Sequence, residues 1–189
     1  KNLFLIGFIF GFGFYLSGIY WITYSLTFDE NFKILIPFSL IFIPLFLSLF
    51  MALTILFAGP HLRLDFPSVL LFSGSLAISD FIRAKILTGF PWNLWAYSTV
   101  WMNDTLQILN IIGLYPYNLL LITIFTFPVI IFFKVSLLKK LFYFSLVCSF
   151  AFSIFIFGNY EINKNQDKLN KINNKVFVKI ISPNFDLQY

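Results

Sequence analysis

Charge is what this chain has least of. Asp, Glu, Lys and Arg together make up 11% of its 189 residues, against the roughly 25% usual in a soluble domain. With 59% hydrophobic residues beside that deficit, the chain is an integral membrane protein. Cysteine is almost absent: the single Cys148 excludes an internal disulfide and a thiolate metal cluster. Set in the apolar run Ser145-Leu146-Val147-Cys148-Ser149-Phe150, it reads as an inert buried thiol, since a nucleophilic thiolate needs a base or cation beside it. The only histidine, His61, lies beside Pro60 and Arg63 in a loop and is not read as a catalytic base. Ser-His-Asp, HExxH, P-loop and GxGxxG patterns are all missing. The net charge of +5 gathers in loops and in the polar tail, with no basic stripe that would call for nucleic acid.

What the chain does have is long apolar runs. Five apolar segments, about 3–26, 34–58, 67–87, 105–133 and 141–157, each reach the minimum of roughly 17 residues that a membrane-spanning helix needs. They define a bundle over residues 1–158. The first run is too long for a signal peptide and lacks a small-x-small cleavage site. Gly7 and Gly11 form a Gly-x-x-x-Gly pair that lets another helix approach, and Tyr20-Trp21-Ile22-Thr23-Tyr24 is an interfacial aromatic cluster or a pocket wall. Pro44 predicts a kink in the second span, and Gly113 and Pro116 interrupt the fourth. Twenty-eight Phe, beside abundant Ile, Asn and Lys, reflect a codon bias in which Phe fills positions open to Leu, so the aromatic count does not itself argue for stacking on a ligand.

Residues 159–175 are rich in Asn and Lys without apolar period and read as a linker. Val176-Phe177-Val178-Lys179-Ile180-Ile181, broken by Ser182-Pro183-Asn184, reads as a strand opening a soluble domain over 176–189. Lys1 is not an initiator Met and the tail ends at Tyr189 just after a new pattern begins, so the chain is expected to be a piece of a longer one. Lys1, Arg63, Lys134, Lys139 and Lys140 fall on one side of the membrane, against Asp29, Glu30, a lone Lys33 and Asp104 on the other. The positive-inside rule makes the first side cytoplasmic.

Ionisable residues inside an apolar segment carry the functional reading. Asp80 and Arg83 are three apart on one helix face, where pairing lowers the cost of placing charge at membrane depth. They serve either as a structural clamp or as a site for a phospholipid headgroup. Lys85, on another face, is free to snorkel outward. Gly89, Phe90, Pro91 and Trp92 must then leave the helix, because Pro91 biases its predecessor away from helical geometry. Trp92, Trp95, Tyr97 and Trp101 give this loop the density of a belt or a lip over a lipid-binding cleft.

Two motifs in order, Phe8-Ile9-Phe10-Gly11-Phe12-Gly13-Phe14-Tyr15-Leu16-Ser17-Gly18-Ile19-Tyr20-Trp21 and Asp80-Phe81-Ile82-Arg83 through Leu87-Thr88-Gly89-Phe90-Pro91-Trp92-Asn93, resemble the apolipoprotein N-acyltransferase family. Val178-Lys179-Ile180-Ile181-Ser182-Pro183-Asn184 is similar to the first strand of that family's periplasmic nitrilase-like domain. Asp80 stands where the family commonly has Glu, and Ser182 where Gln is usual. The resemblance implies an all-α polytopic membrane bundle followed by the start of an α/β nitrilase-like (carbon-nitrogen hydrolase) domain, in the bacterial inner membrane. It implies transfer of an acyl chain from a phospholipid donor to a diacylglyceryl apolipoprotein acceptor, with no metal or organic cofactor. Substrate contacts are expected at Asp80, Arg83, Gly89, Phe90, Pro91, Trp92, Tyr97 and Trp21. The family's catalytic Glu, Lys and Cys belong to the nitrilase-like domain beyond Tyr189, so no catalytic residue carries over. A transporter or channel with broken helices, and a non-catalytic membrane anchor, are the alternative readings.

Overall fold

Small residues set the closest packing in the molecule. A computed structural model describes residues 2–86, 91–171 and 179, and in it helices α1 (Leu3–Ile19) and α2 (Ile36–Ala58) lie tightly side by side. A Cβ added at Gly7 would stand 2.8 Å from the Met51 carbonyl oxygen, and one at Gly11 2.8 Å from the Met51 Cβ and 3.0 Å from the Ser48 Cα. The Gly-x-x-x-Gly pair is therefore spent on helix packing. After Ile19 the chain tightens into 3-10 geometry over Tyr20–Thr27, turns at Asp29, and re-enters through a second 3-10 stretch, Glu30–Leu35. Pro37 occupies the first turn of α2, where its missing N–H costs nothing, and α2 runs unbroken through Pro44.

Helix α3 (Phe66–Ile86) starts on a well-made cap. Asp65 accepts from the Ser68 N–H at 3.0 Å, and the Ser68 hydroxyl accepts from the Arg63 N–H at 2.7 Å. This is a relative of the capping box, satisfying donors that the first turn leaves orphaned. The fourth apolar segment is built in pieces: α4 (Asn103–Leu106), α5 (Leu109–Ile112) and α6 (Leu114–Thr126), continued by 3-10 turns over Phe127–Phe132. The break between α5 and α6 falls at Gly113, whose φ of 79° and ψ of 177° are open only to glycine. Pro116 lies harmlessly in the first turn of α6.

Helix α7 (Leu137–Asn170) is longer than the sequence suggests. It begins before residue 141 and continues through most of the stretch read as a linker. The reading missed it because a helix that leaves the bundle needs no apolar stripe. At one end of α7 the Tyr143 ring stacks on Phe66 with centroids 5.1 Å apart; farther along, Gly158 sits against the Asp104 backbone, where a Cβ could not fit, and Asn159 Nδ2 donates to Asp104 Oδ1 at 3.3 Å. The strand expected over 176–181, and with it the α/β domain, lies outside the described residues except for Lys179.

Tyr15, Ile19, Leu47, Met51, Leu76 and Ile122 form the central core where α1, α2, α3 and α6 meet. The outside is apolar as well, with Phe57 71% and Leu138 78% exposed. Such a surface suits lipid as the surrounding solvent, and among the described residues four helical stretches are long and apolar enough to cross a membrane: Leu3–Thr27, Glu30–His61, Leu114–Phe132 and Leu137–Asn170. At 21 residues α3 is long enough but more polar, with Ser73, Asp80 and Arg83 on its buried face.

Candidate functional site

The polar face of α3 points into the bundle, and everything around it is arranged to satisfy two charges. Arg83 Nη2 lies 3.2 Å from Asp80 Oδ1, with both side chains almost wholly buried. The second carboxylate oxygen of Asp80 accepts from Asn118 Nδ2 on α6 at 3.0 Å, and Asn118 Oδ1 accepts from the Ala96 N–H at 3.0 Å. Arg83 Nη1 donates to the Trp92 carbonyl at 2.9 Å, and its guanidinium carbon stands 5.4 Å from the centre of the Tyr15 ring on α1. One ion pair thus ties α1, α3 and α6 to both ends of the loop from Pro91 to Ala96.

A second set of polar contacts pins the 3-10 turn Trp95–Thr99. The buried Tyr117 hydroxyl sits 2.7 Å from Thr99 Oγ1 and donates to Thr105 Oγ1 at 3.2 Å. Asn93 takes a positive φ of 59°, a conformation asparagine tolerates better than most residues. Its side-chain amide reaches the Phe14 carbonyl at 3.4 Å and fills the space over Gly18.

This rigid base presents aromatic rings outward. Trp21 and Trp92 stack with centroids 4.9 Å apart, Phe14 and Trp95 stack at the same distance, and Trp21, Trp92, Tyr97 and Trp101 are all substantially exposed. An apolar groove of about 430 Å³ runs between α2 and α3, lined by Phe50, Leu53, Phe57, Ile78, Ile82 and Ile86.

Of the expected contact residues, Asp80, Arg83, Pro91, Trp92 and Trp21 converge, and Tyr97 lies on the adjoining turn. Gly89 and Phe90 lie outside the described residues. Asn118 and Tyr117 were missed, although a polar amide inside the run Tyr117-Asn118-Leu119-Leu120 is the same kind of signal as Asp80 and Arg83. Cys148 corrects an expectation: it is exposed on α7, not buried, because this part of α7 packs on few neighbours. No grouping of three or more His, Cys, Asp or Glu that could hold a metal occurs among the described residues.

Residues 1–127 match the family model described as the apolipoprotein N-acyltransferase N-terminal domain. Curated proteins named apolipoprotein N-acyltransferase are similar to the chain: one from Rhodopseudomonas palustris is 35% identical over 128 residues, one from Brucella melitensis 32% over 127, and one from Rickettsia bellii 35% over 122. These matches cover 67%, 67% and 64% of this chain, and 24% of each relative, so the chain spans only about a quarter of their length in the matched region. No solved structure matches.

Proposed function

The chain belongs to the apolipoprotein N-acyltransferase family, and from that premise we propose that it forms the membrane part of an enzyme moving an acyl chain from a phospholipid to the α-amino group of a diacylglyceryl-cysteine at a lipoprotein N-terminus. Both substrates are amphiphiles that enter from the bilayer. The observation that carries the proposal is the buried Asp80–Arg83–Asn118 network, which fixes the Trp92 main chain while leaving Trp92 and its partner Trp21 exposed. Tryptophan and tyrosine favour the level of the lipid headgroups, where a ring buries its apolar body and keeps its N–H or O–H wet.

In this reading Trp21, Trp92 and Tyr97 touch lipid and Pro91 shapes the turn, with Gly89 and Phe90 proposed as further substrate contacts. Arg83 and Asp80 act as positioning residues, since their polar atoms are turned onto protein groups. The groove between α2 and α3 offers an acyl chain a surface that reaches Ile86 at the end of α3. Among the described residues the lip carries no activated nucleophile, so its part in acyl transfer is to hold and orient. The cytoplasmic membrane is the proposed location, with the lip on its outer face.

The test is N-acylation of a lipoprotein N-terminus, read by mass spectrometry in cells that depend on the gene encoding this chain for that activity. Trp21→Ala with Trp92→Ala should cut N-acylation about tenfold or more at unchanged protein level, the scale expected when a substrate contact is lost. Full N-acylation with both rings removed would sink the lip.

A further inference from the structure

The end of the bundle opposite the aromatic lip is basic and has two adjoining cavities. One, of about 380 Å³, is apolar and runs between α3 and the Phe127–Phe132 segment, lined by Leu62, Val69, Phe72, Val129 and Phe133. The other, of about 350 Å³, is far more polar and is lined by Pro60, His61, Asp65, Pro67 and Leu71. Arg63 and Ser68 border both. A polar cavity and an apolar groove sharing one exposed guanidinium match the two-part chemistry of a phospholipid.

The local charges agree. Asp65 is the acid in the polar cavity; its carboxylate accepts from the Ser68 N–H and also feels the Arg63 charge, while Ser68 Oγ takes the Arg63 backbone N–H. The ion pairs among the described residues are Lys33–Glu30, Arg83–Asp80 and Lys164–Glu161, none of which uses Arg63. His61 places Nδ1 3.2 Å from the Phe57 carbonyl, which leaves Nε2 as the ring's other polar atom. The Phe66–Tyr143 stack brings the start of α7, with Lys139 and Lys140, to the same end; Lys140 Nζ already donates to the Ile131 carbonyl at 2.6 Å, and Lys139 is exposed.

We infer that this end of the bundle binds one anionic phospholipid, its phosphate against Arg63 in the polar cavity and one acyl chain in the groove between α3 and the Phe127–Phe132 segment. A guanidinium matches a phosphate with two parallel N–H donors, and basic pockets between membrane helices favour anionic headgroups. The 21 residues of α3 rise about 31 Å, so this lipid sits a membrane's thickness from the lip and is not the acyl donor proposed above. Its role is to fasten α3 to the segment that leads into α7. The inference does not depend on the acyl-transfer reading.

The experiment places the purified full chain in nanodiscs of phosphatidylcholine mixed equally with phosphatidylglycerol, extracts it gently, and counts retained lipid by native mass spectrometry. The wild type should keep one phosphatidylglycerol in preference to phosphatidylcholine by about tenfold, because both offer a phosphate to Arg63 but only phosphatidylcholine brings a quaternary ammonium that the guanidinium repels. Arg63→Gln should bring the two lipids to parity, Arg63→Lys should keep part of the preference, and Val129→Trp, which fills the groove, should lose the retained lipid. Lys164→Gln, at the other end of α7, should change nothing. Should Arg63→Gln fail to insert, Arg63→Lys and Val129→Trp decide the matter alone. Equal retention of the two lipids by the wild type would overturn the site. So would a preference that survives Arg63→Gln, or one lost only on Lys139→Gln with Lys140→Gln, which marks diffuse surface attraction. Displacement of the lipid by glycerol phosphate alone would overturn the acyl-chain half.

Discussion

Breaking one side of a buried ion pair is worse than removing both, and Asp80 with Arg83 is placed to show it. Loss of one partner leaves an uncompensated charge at a cost of about 3 to 5 kcal/mol, whereas neutral replacements of similar shape cost much less. Asp80→Asn and Arg83→Gln alone should each lower the membrane-inserted protein level and N-acylation together. The double variant should recover most of both, because the amide introduced at position 80 could still meet Asn118 and the one at position 83 the Trp92 carbonyl. A double-mutant cycle on protein level and on acylation measures this coupling. If Arg83→Gln abolishes acylation at full protein level, and the double variant does not restore it, the guanidinium acts on substrate and the positioning role is wrong. The pair itself was legible in the sequence, since two charges in an apolar run must meet something. What they meet was not: Tyr15, Asn118 and the Trp92 carbonyl come from three other parts of the chain, and no local spacing relates them.

Helix packing here turns on which glycines touch a neighbour, and α1 offers an internal comparison. Gly11 faces α2 with Met51 Cβ and Ser48 Cα at the limit of contact, while Gly13 has nothing within 4 Å of an added Cβ. Alanine gains up to about 1 kcal/mol of helix propensity over glycine. Gly13→Ala should therefore be neutral or slightly stabilising, and Gly11→Ala should destabilise by about 1 to 3 kcal/mol through overpacking, read as the midpoint of unfolding in SDS. Equal effects at the two positions would mean that α1 does not dock on α2 through this face. The cap of α3 gives a second prediction. Asp65 lies before the helix, and hydrogen bonds from the Ser68 hydroxyl and then its backbone N–H hold the carboxyl below the usual carboxylate range. A lowered folded pKa adds stability that is complete above the unfolded value, about 3.9, and is lost as pH falls through the folded one. Exchange of the Ser68 amide, corrected for intrinsic rate, should stay constant from about pH 7 to about pH 5 and rise only well into the acid range. Asp65→Ala should exchange faster throughout, and Asp65→Asn, still a good cap, should be slow without the acid response. An unchanged rate in Asp65→Ala would show that the cap is not made. Existence and order of these helices were readable from apolar length, and Gly113 from its residue type. The extension of α7 to Asn170 was not, because Glu161, Lys164 and Lys168 form a solvated helix with no buried face to announce it.

At the scale of the whole molecule, apolar surface and charge divide the work: the sides of the bundle face lipid, and the two ends carry opposite tendencies. The start of α7 meets the start of α3 through Tyr143 and Phe66, and Gly158 meets Asp104 about 22 Å farther along the helix axis. The two ends are therefore fixed by contacts as well as by charge. Lys134, Lys139, Lys140 and Arg63 gather at one end, and Asp104 stands at the other with the lip. Short basic loops stay on the cytoplasmic side, so the lip, α4 and the polar end of α7 should face outward together. In a Cys148→Ser background, which removes the exposed thiol on α7, Asn103→Cys should react with a membrane-impermeant thiol reagent added to spheroplasts. Lys139→Cys should react only after the membrane is permeabilised. Both positions are exposed in the structure, so silence at either reports the membrane and not burial. The reverse pattern would put Trp21 and Trp92 on the cytoplasmic face, away from a lipoprotein acceptor that has already crossed, and the proposed role of the lip would fall with the topology.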